Sequence, residues 1–241
     1  MLSIVGMGPG DQDNMTFKAY ETFKNADRVI GYKKYTQLAQ KIFTDIQIEE
    51  FGMRKERDRC QRAIELAKTG ENIVLVSSGD SGVYGMAGLA YEMAEGQLDF
   101  SEIEVISGIS ALSGCGSLLG APLMHDFVVI SLSDLLTDWN LIEKRLHLAG
   151  QGDFVTVLYN PKSQGRKTHI EKARDILMTY RDNQTPVGIV TNCGREDESR
   201  VVDRLRSFCQ QPITMTSTVF IGSSHTKVVQ GKMITPRGYL L

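Results

Sequence analysis

A short uncharged run at residues 73–76 (IVLV) stops abruptly at a small polar stretch, residues 77–86 (SSGDSGVYGM). A run of this length, rich in branched residues, is typical of a fully buried strand in a parallel sheet. The loop after such a strand lies at the carboxyl edge of the sheet, where open α/β folds bind ligands. Glycines in this loop would let a ligand approach the backbone, and Asp80 could accept hydrogen bonds from a hydroxyl or an amine.

The same alternation of strand and helix patterns runs through the first half of the chain, which predicts a mostly parallel sheet with helices on both faces. Strands are expected at residues 2–5, 27–30, 73–76 and 103–106, and helices near 15–25, 54–69, 83–95 and 110–119.

Glycine and proline interrupt the pattern at residues 119–125 (LGAPLMH), which makes this segment the best candidate for a linker. The sequence therefore predicts an α/β protein of two α/β lobes, residues 1–120 and 121–241, with one continuous sheet as the alternative. The second lobe is expected to hold strands at 127–132, 154–159, 187–190 and 218–221, a helix at 168–180 and a last edge strand at 227–235.

Composition excludes several classes of protein. A net charge of −2 argues against a general nucleic-acid binder. No apolar run approaches the roughly 18 residues of a membrane span, so no membrane partner is expected. The chain opens directly into a strand pattern without a signal peptide, which predicts a cytoplasmic protein. Its 4 cysteines form no CxxC pair. We therefore expect reduced thiols and no metal site.

The first glycine-rich loop, residues 6–11 (GMGPGD), is similar to a dinucleotide fingerprint but departs from it. The spacing is GxGxG, and Pro9 lacks an amide that a pyrophosphate would need. The acidic residue expected at the end of the second strand is also missing, since residues 30–32 read IGY. The loop therefore suits a ligand without phosphates or close packing of the chain, and a plain turn remains open.

Two further loops carry groups that a phosphate-free nucleoside could use. In the loop after residue 76, Asp80 and the Ser81 hydroxyl can pair with an amine or a ribose. In residues 107–112 (SGISAL), small side chains would let a flat ligand lie against the backbone. The alternatives are that Asp80 and Ser110 only cap the helices that follow them.

Eight segments, in this order, resemble the tetrapyrrole methyltransferases of vitamin B12 synthesis, and the resemblance covers residues 1–238. They are GMGPGD, SSGDSGVYGMA, SGISAL, LGAPLMHDF, SLSDLLTDW, LYNPKS, IVTNCGRE and TSTVFIGSS. GDSGVYGM, HDF and SLSDLLTxW indicate the ring-contracting subgroup, which methylates C17 of precorrin-3. Ser81 stands where most relatives have the proline of GDP, so the local turn is open.

The resemblance implies a two-lobed α/β fold with S-adenosylmethionine bound between the lobes, a tetrapyrrole substrate and a homodimer. Cys193 stands where relatives often carry Gly or Ala, so a backbone contact without a redox role is expected there. By motif, the implied cofactor contacts are Pro9, Gly79, Asp80, Val83, Ser110, Ala111, Asn160, Cys193 and Thr218.

Ring contraction needs proton transfers, and histidine is the natural proton shuttle near neutral pH. His125 with its neighbour Asp126 is our first choice for this role, and His225 is the second. His125 could instead be a ligand to substrate cobalt or a residue that packs at the hinge. His147 and His169 are expected on solvent-facing sides of helices.

The substrate that the resemblance implies is a polycarboxylate, so lysine and arginine should pair with its acetate and propionate arms. Lys162 and Arg166 follow the LYNP loop, and Arg195 follows TNCG. The basic cluster at residues 54–59 is interleaved with acids and suits a solvated helix face instead. The negative net charge does not exclude such a site, because the local field matters more than the sum.

Three functions remain open from the sequence. The first is the C17-methyltransferase of a B12 precursor. The second is a methyltransferase of the same fold for another corrinoid carbon or a protein side chain. The third is a non-catalytic carrier of a corrinoid intermediate. Whether the substrate already holds cobalt is also open.

Overall fold

The structure, a computed structural model, describes residues 1–239. The chain forms two compact units, Met1–Ala111 and Leu112–Leu241. The division predicted from the sequence lies later, at residue 120. No helix within residues 1–239 is both long and apolar enough to cross a membrane.

The first unit is built on a five-stranded parallel sheet in the order β3-β2-β4-β1-β5. Its elements are β1 (Leu2–Gly6), α1 (Phe17–Lys24), β2 (Arg28–Tyr32), α2 (Lys33–Ile42), β3 (Gln47–Phe51), α3 (Glu56–Ala67), β4 (Ile73–Ser77), α4 (Ala87–Ala94) and β5 (Ile103–Ile106).

Successive side chains of the central strands enter two different hydrophobic cores, because a strand points its side chains alternately to its two faces. Ile73 and Leu75 of β4 pack with α3 and α4, whereas Val74 and Val76 pack with α1 and α2. Every residue of β1 and β4 is buried. This confirms the predicted parallel sheet with helices on both of its faces.

The sequence predictions missed α2 and β3, and they placed the start of α4 too early. The strand β3 (QIEEF) lies at the edge of the sheet and carries charges, so it lacks the apolar pattern of a buried strand. The helix α4 begins at Ala87 rather than at Val83. The residues before it are held in a turn in which Tyr84 has a left-handed backbone, with φ of 53°.

The second unit contains a mixed five-stranded sheet in the order β10-β9-β11-β8-β7 and a small sheet in the order β12-β13-β6. Its elements are α5 (Ala111–Leu119), β6 (Gly120–Ala121), β7 (Phe127–Ser131), α6 (Trp139–Gln151), β8 (Val155–Tyr159), α7 (His169–Met178), β9 (Pro186–Thr191), β10 (Ser199–Arg204), β11 (Ser217–Ile221), β12 (Lys227–Val229) and β13 (Lys232–Ile234).

In the mixed sheet, β7 and β8 are parallel, whereas β11 runs antiparallel to both β8 and β9. Helices α6 and α7 cover one face. Helix α5 lies against the other face, where a Cβ at Gly188 would meet the Leu119 side chain at 2.5 Å. The strands of the two units belong to separate sheets, so the alternative of one continuous sheet is wrong.

Three expectations for the second half need correction. Helix α6 and the charged edge strand β10 were missed. The proposed linker contains the strand β6, which pairs with β13. The predicted edge strand at 227–235 is a hairpin whose turn, at Gln230 and Gly231, has positive φ values of 49° and 75°, as tight hairpins require.

A buried arginine fastens the end of α6 to the start of β8. The side chain of Arg181 is fully buried, and its Nη2 donates to the carbonyl oxygens of Phe154 at 2.6 Å and Ala149 at 3.2 Å. Its Nε lies 3.5 Å from Oδ1 of Asp153, which also accepts from the amide of Ser224 at 2.9 Å. Burial raises the pKa of Asp153, but these hydrogen bonds and the Arg181 charge outweigh burial and lower it.

We expect Asp153→Asn to destabilise the protein by about 1 kcal/mol at pH 7. Asparagine tolerates the left-handed backbone of this position, with φ of 51°, so the change removes mainly the charge. The native pKa of Asp153 lies below its unfolded value. Its contribution is therefore present above about pH 4 and is lost as the pH falls through the native pKa.

Urea unfolding at pH 7 and at pH 3 checks this prediction. The stability difference between wild type and Asp153→Asn should shrink at the lower pH. Asp45→Asn, at an exposed position, is the control and should change stability little at either pH. An Asp153 effect that is equal at both pH values would contradict the electrostatic account.

Candidate functional site

Three loops of the first unit meet at the carboxyl edge of its sheet, because β4, β1 and β5 are neighbours there. Gly8 and Gly79 exchange two backbone hydrogen bonds, of 2.7 and 3.1 Å. The Gly108 amide donates to Oδ2 of Asp80 at 3.0 Å. The segments 6–11, 77–86 and 107–111 thus form one connected surface, here called the three-loop edge.

The glycines of the three-loop edge serve the packing of the loops against one another. A Cβ on Gly108 would lie 2.1 Å from the Gly79 carbonyl oxygen and 2.4 Å from that of Gly6. A Cβ on Gly6 would lie 2.6 Å from the Gly79 oxygen. Of the readings left open for the first loop, close packing of the chain is the one that the structure shows for Gly6.

Asp80 ties two of these loops together. Besides its bond to the Gly108 amide, it accepts the Gly82 amide through Oδ1 at 2.8 Å. The alternative that Asp80 only caps the next helix is wrong, since the N-cap of α4 is Met86 and has no side-chain bond. The Ser81 hydroxyl is buried and has no hydrogen-bond partner within residues 1–239. The Ser81 carbonyl closes the turn by accepting the Ala87 amide at 3.0 Å.

The electrostatic character of the three-loop edge is negative. Its segments contain no Lys, Arg or His, and they carry the carboxylates of Asp11 and Asp80. A phosphate group would find no cation here to pair with, whereas a cationic ligand would meet a fixed carboxylate. The predicted contact residues of this unit are all at least partly exposed: Pro9, Gly79, Asp80, Val83, Ser110 and Ala111.

In the second unit, three predicted contact residues come to one edge of the mixed sheet. Strands β8 and β9 run in the same direction, since each is antiparallel to β11. Asn160 follows the carboxyl end of β8, Cys193 follows that of β9, and Thr218 lies at the amino end of β11. The same edge holds the carboxyl end of β7 at Ser131.

Asn160 is held in a left-handed conformation, with φ of 52°, and its Nδ2 donates to Oγ of Ser131 at 3.0 Å. Its carbonyl lies 3.5 Å from Nη2 of Arg166. The Nε of Arg166 is buried and has no hydrogen-bond partner in the part of the chain that the structure describes, so this guanidinium retains an unused donor. Lys162 is half-buried in the same loop.

Cys193 lies beside Cys115, which the sequence analysis did not foresee. The two thiols hydrogen-bond, and this contact together with burial raises the pKa of Cys115 far above its ordinary value. Thr218 also hydrogen-bonds to the Cys115 thiol. Only the pairing of strands and the packing of α5 bring these residues together, so no local sequence signal could have shown it.

Arg195 lies in an acidic turn. Its amide donates to the Asn192 carbonyl at 3.0 Å, and the next three residues are Glu196, Asp197 and Glu198. Asp197 accepts from Nδ2 of Asn192 at 2.6 Å. A substrate carboxylate would therefore meet acidic neighbours at Arg195. The binding role of Arg195 stays a prediction.

His125 and Asp126 lie at the other edge of the mixed sheet, since they precede β7 whereas Asn160 follows β8. The Asp126 amide donates to Nδ1 of His125 at 2.8 Å, so the neutral ring carries its proton on Nε2. The Asp126 carboxylate is 82% exposed, and its Oδ2 lies 3.9 Å from His125 Nδ1, too far for a hydrogen bond. His225 follows β11 at this same edge.

His169 is largely buried, in contrast to the solvent-facing position that we expected. Its Nε2 lies 3.0 Å from Oδ2 of Asp134, and its ring stacks edge-on against Trp139 with centroids 4.6 Å apart. Burial raises the pKa of Asp134, but the bond with His169 and the charge of Arg166 lower it overall. His169 therefore joins the loop after β7 to the start of α7.

The model of the family described as Tetrapyrrole (Corrin/Porphyrin) Methylases matches residues 1–209 of this chain. The chain belongs to the tetrapyrrole methylase family. This confirms the resemblance that the eight sequence motifs indicated, and the chain is a methyltransferase. In this methylase the three-loop edge and the edge at Asn160 are the two candidate sites on the two units.

Relatives and solved structures agree with this assignment. A Salmonella typhimurium protein named "Probable cobalt-factor III C(17)-methyltransferase" is 49% identical over the full length of both chains. The crystal structure of the methyltransferase CobJ is 30% identical, covers 98% of this chain and 99% of its own, and has a TM-score of 0.88. A Thermus thermophilus uroporphyrin-III C-methyltransferase complexed with S-adenyl homocysteine is 22% identical, covers 92% of this methylase and 96% of its own chain, and shares the fold with a TM-score of 0.67.

Proposed function

We propose that this methylase transfers a methyl group from S-adenosylmethionine to C17 of precorrin-3B or of its cobalt-containing equivalent, with ring contraction, in cobalamin biosynthesis. The name of the Salmonella relative, a probable cobalt-factor III C(17)-methyltransferase, supports the choice of substrate. The observation that carries the choice of cofactor is the three-loop edge, where partly exposed contact residues surround the fixed carboxylate of Asp80.

The residues present fit this cofactor. When bound, S-adenosylmethionine supplies a methyl group on a cationic sulfur and carries no phosphate. The edge without a single basic residue suits such a ligand and does not suit a dinucleotide. Asp80 retains lone pairs after its two amide bonds, so it can hold a hydroxyl or an amine. Asn160, Cys193 and Thr218 are the contacts that we propose in the second unit.

Charged and polar side chains are proposed to bind the substrate. We assign the carboxylate arms of the macrocycle to Lys162 and Arg166, with Arg195 as a further partner. The Nδ1 of His125 accepts the Asp126 amide, so we propose that its Nε2–H donates a hydrogen bond to the substrate and stabilises charge that develops there during ring contraction. Asp126 lies beside it as an exposed carboxylate. Two copies of the chain form the working enzyme, in the cytoplasm.

The decisive experiment incubates the protein with S-adenosylmethionine and the trimethylated precursor, with and without cobalt, followed by mass and absorbance spectra. We expect one added methyl group and the spectrum of a contracted ring. A methyl group on another carbon would favour the second function, and methylation of an added protein instead would favour a protein methyltransferase.

Thermal unfolding separates the carrier from the enzymes. A ligand that binds only the folded protein raises its Tm. At a ligand concentration 100 times its Kd, the free energy of unfolding rises by about 2.7 kcal/mol. We expect S-adenosylhomocysteine to raise the Tm. An unchanged Tm, together with binding of the corrinoid, would support a non-catalytic carrier instead.

A further inference from the structure

Two leucines stand exposed in the loop between β7 and α6, residues 132–138. The exposed fraction is 63% for Leu135 and 95% for Leu136. Leucine side chains this exposed leave apolar area in water, which is unfavourable unless a partner covers it. The segment belongs to the SLSDLLTDW motif, and the proposed function gives these two leucines no role.

The loop is held firmly on both sides of these leucines. On one side, Asp134 bonds to His169 at 3.0 Å. On the other, Asp138 caps α6 by accepting the Asn140 amide at 2.8 Å. The leucines therefore project from a fixed support, and binding at them would need little ordering of the backbone.

A basic segment lies beside this loop. Strands β7 and β8 are parallel neighbours, with Ser131 paired to Tyr159, so the loops that follow them are adjacent. Residues 160–170 contain Lys162, Arg166 and Lys167 and no acidic residue. Arg166 also acts on Asp134 across these loops. Burial raises the pKa of Asp134, whereas the hydrogen bond with His169 and the charge of Arg166 lower it.

The two carboxylates next to the leucines are engaged within the protein, Asp134 with His169 and Asp138 with the Asn140 amide. The leucines and the basic segment of the neighbouring loop together match a flat macrocycle with carboxylate arms. Resting on the proposed function, we infer that Leu135 and Leu136 contact the apolar face of the tetrapyrrole substrate, while the basic segment pairs with its carboxylates. The leucines are thus specificity-determining contacts that favour a macrocycle over a small carboxylate.

The test measures binding of uroporphyrin, a porphyrin with eight carboxylates, by fluorescence anisotropy. The double variant Leu135→Ser/Leu136→Ser should bind it about tenfold more weakly than wild type. Leu148→Ser, at a leucine on α6 that is 55% exposed, is the matched control and should bind as wild type does. In turnover, the double variant should raise KM for the corrinoid, leaving kcat and the affinity for S-adenosylhomocysteine unchanged.

Salt separates the two parts of the contact. Raising the salt concentration should weaken porphyrin binding by the same factor in wild type and in the double variant, since the basic segment is intact in both. Equal porphyrin affinity and equal KM in wild type and the double variant would overturn the inference. If wild type methylates its substrate in that case, the proposed function still stands.

Sedimentation tests the other possible occupant, a second copy of the chain. A double variant that becomes monomeric at unchanged porphyrin affinity would show a subunit interface and would also overturn the inference. We expect the same sedimentation coefficient for wild type and the double variant.

Discussion

Gly108→Ala is expected to abolish measurable cofactor binding and to destabilise the protein by about 3 kcal/mol. The new Cβ would lie 2.1 Å from the Gly79 carbonyl oxygen and 2.4 Å from the Gly6 oxygen. Both neighbours are backbone atoms, which cannot rotate away as a side chain would. The loops must separate, and the bond from the Gly108 amide to Asp80 would be lost with them.

Calorimetric titration with S-adenosylhomocysteine and urea unfolding measure the two effects. Gly88→Ala is the matched control, because Gly88 lies on an exposed side of α4. Apart from its chain neighbours and its own helix backbone, no atom of residues 1–239 lies within 4 Å of its Cβ position. That change should stabilise the protein by about 0.5–1 kcal/mol and leave binding unchanged. Wild-type affinity in Gly108→Ala would mean that the three-loop edge does not hold the cofactor.

His125→Ala is expected to lower the rate of product formation by at least about 100-fold, with the affinity for S-adenosylhomocysteine unchanged. The Asp126 amide occupies Nδ1 at 2.8 Å, so the ring offers Nε2–H as a donor. The side chain is 51% exposed, and its removal should therefore cost little stability.

Single-turnover assays followed by mass spectrometry distinguish the methyl transfer from the later ring contraction. If the Nε2–H of His125 acts only in the contraction, the methylated but uncontracted intermediate should accumulate. His147→Ala is the control, since His147 lies on α6 and its ring contacts Tyr180, through the hydroxyl at 3.0 Å and edge-on with ring centroids 5.8 Å apart. Normal turnover by His125→Ala would remove the histidine from the mechanism and leave its edge of the sheet with a structural role.

The central strands were predictable because they are short, apolar and uncharged. The edge strands β3 and β10 were not, since each faces solvent on one side and reads as a polar segment (QIEEF and SRVVDR). Helix α2 was missed for a similar reason, because its sequence, KKYTQLAQKI, has few apolar residues. A polar segment of this kind can be recognised as an edge strand only when the strand that it pairs with is known.

The candidate sites show the same limit. Two of the loops were recognised from glycine and aspartate and the third from its small residues. The partner of Asp80, however, is Gly108, which only the order of β4, β1 and β5 brings near. Cys115 and Cys193 likewise meet through sheet pairing. The resemblance to a family supplied residue roles, and the structure supplies the neighbours with which those residues act.

The alternation of β4 between two cores has a consequence for how this chain can change over evolution. Adding or deleting one residue within residues 73–77 would rotate all later side chains of the strand to the opposite layer. After an insertion that follows Ile73, for example, Leu75 would face the helices that now receive Val74 and Val76. Length variation among homologues should therefore be confined to connections such as the one between α2 and β3, while the inner strands keep a constant length.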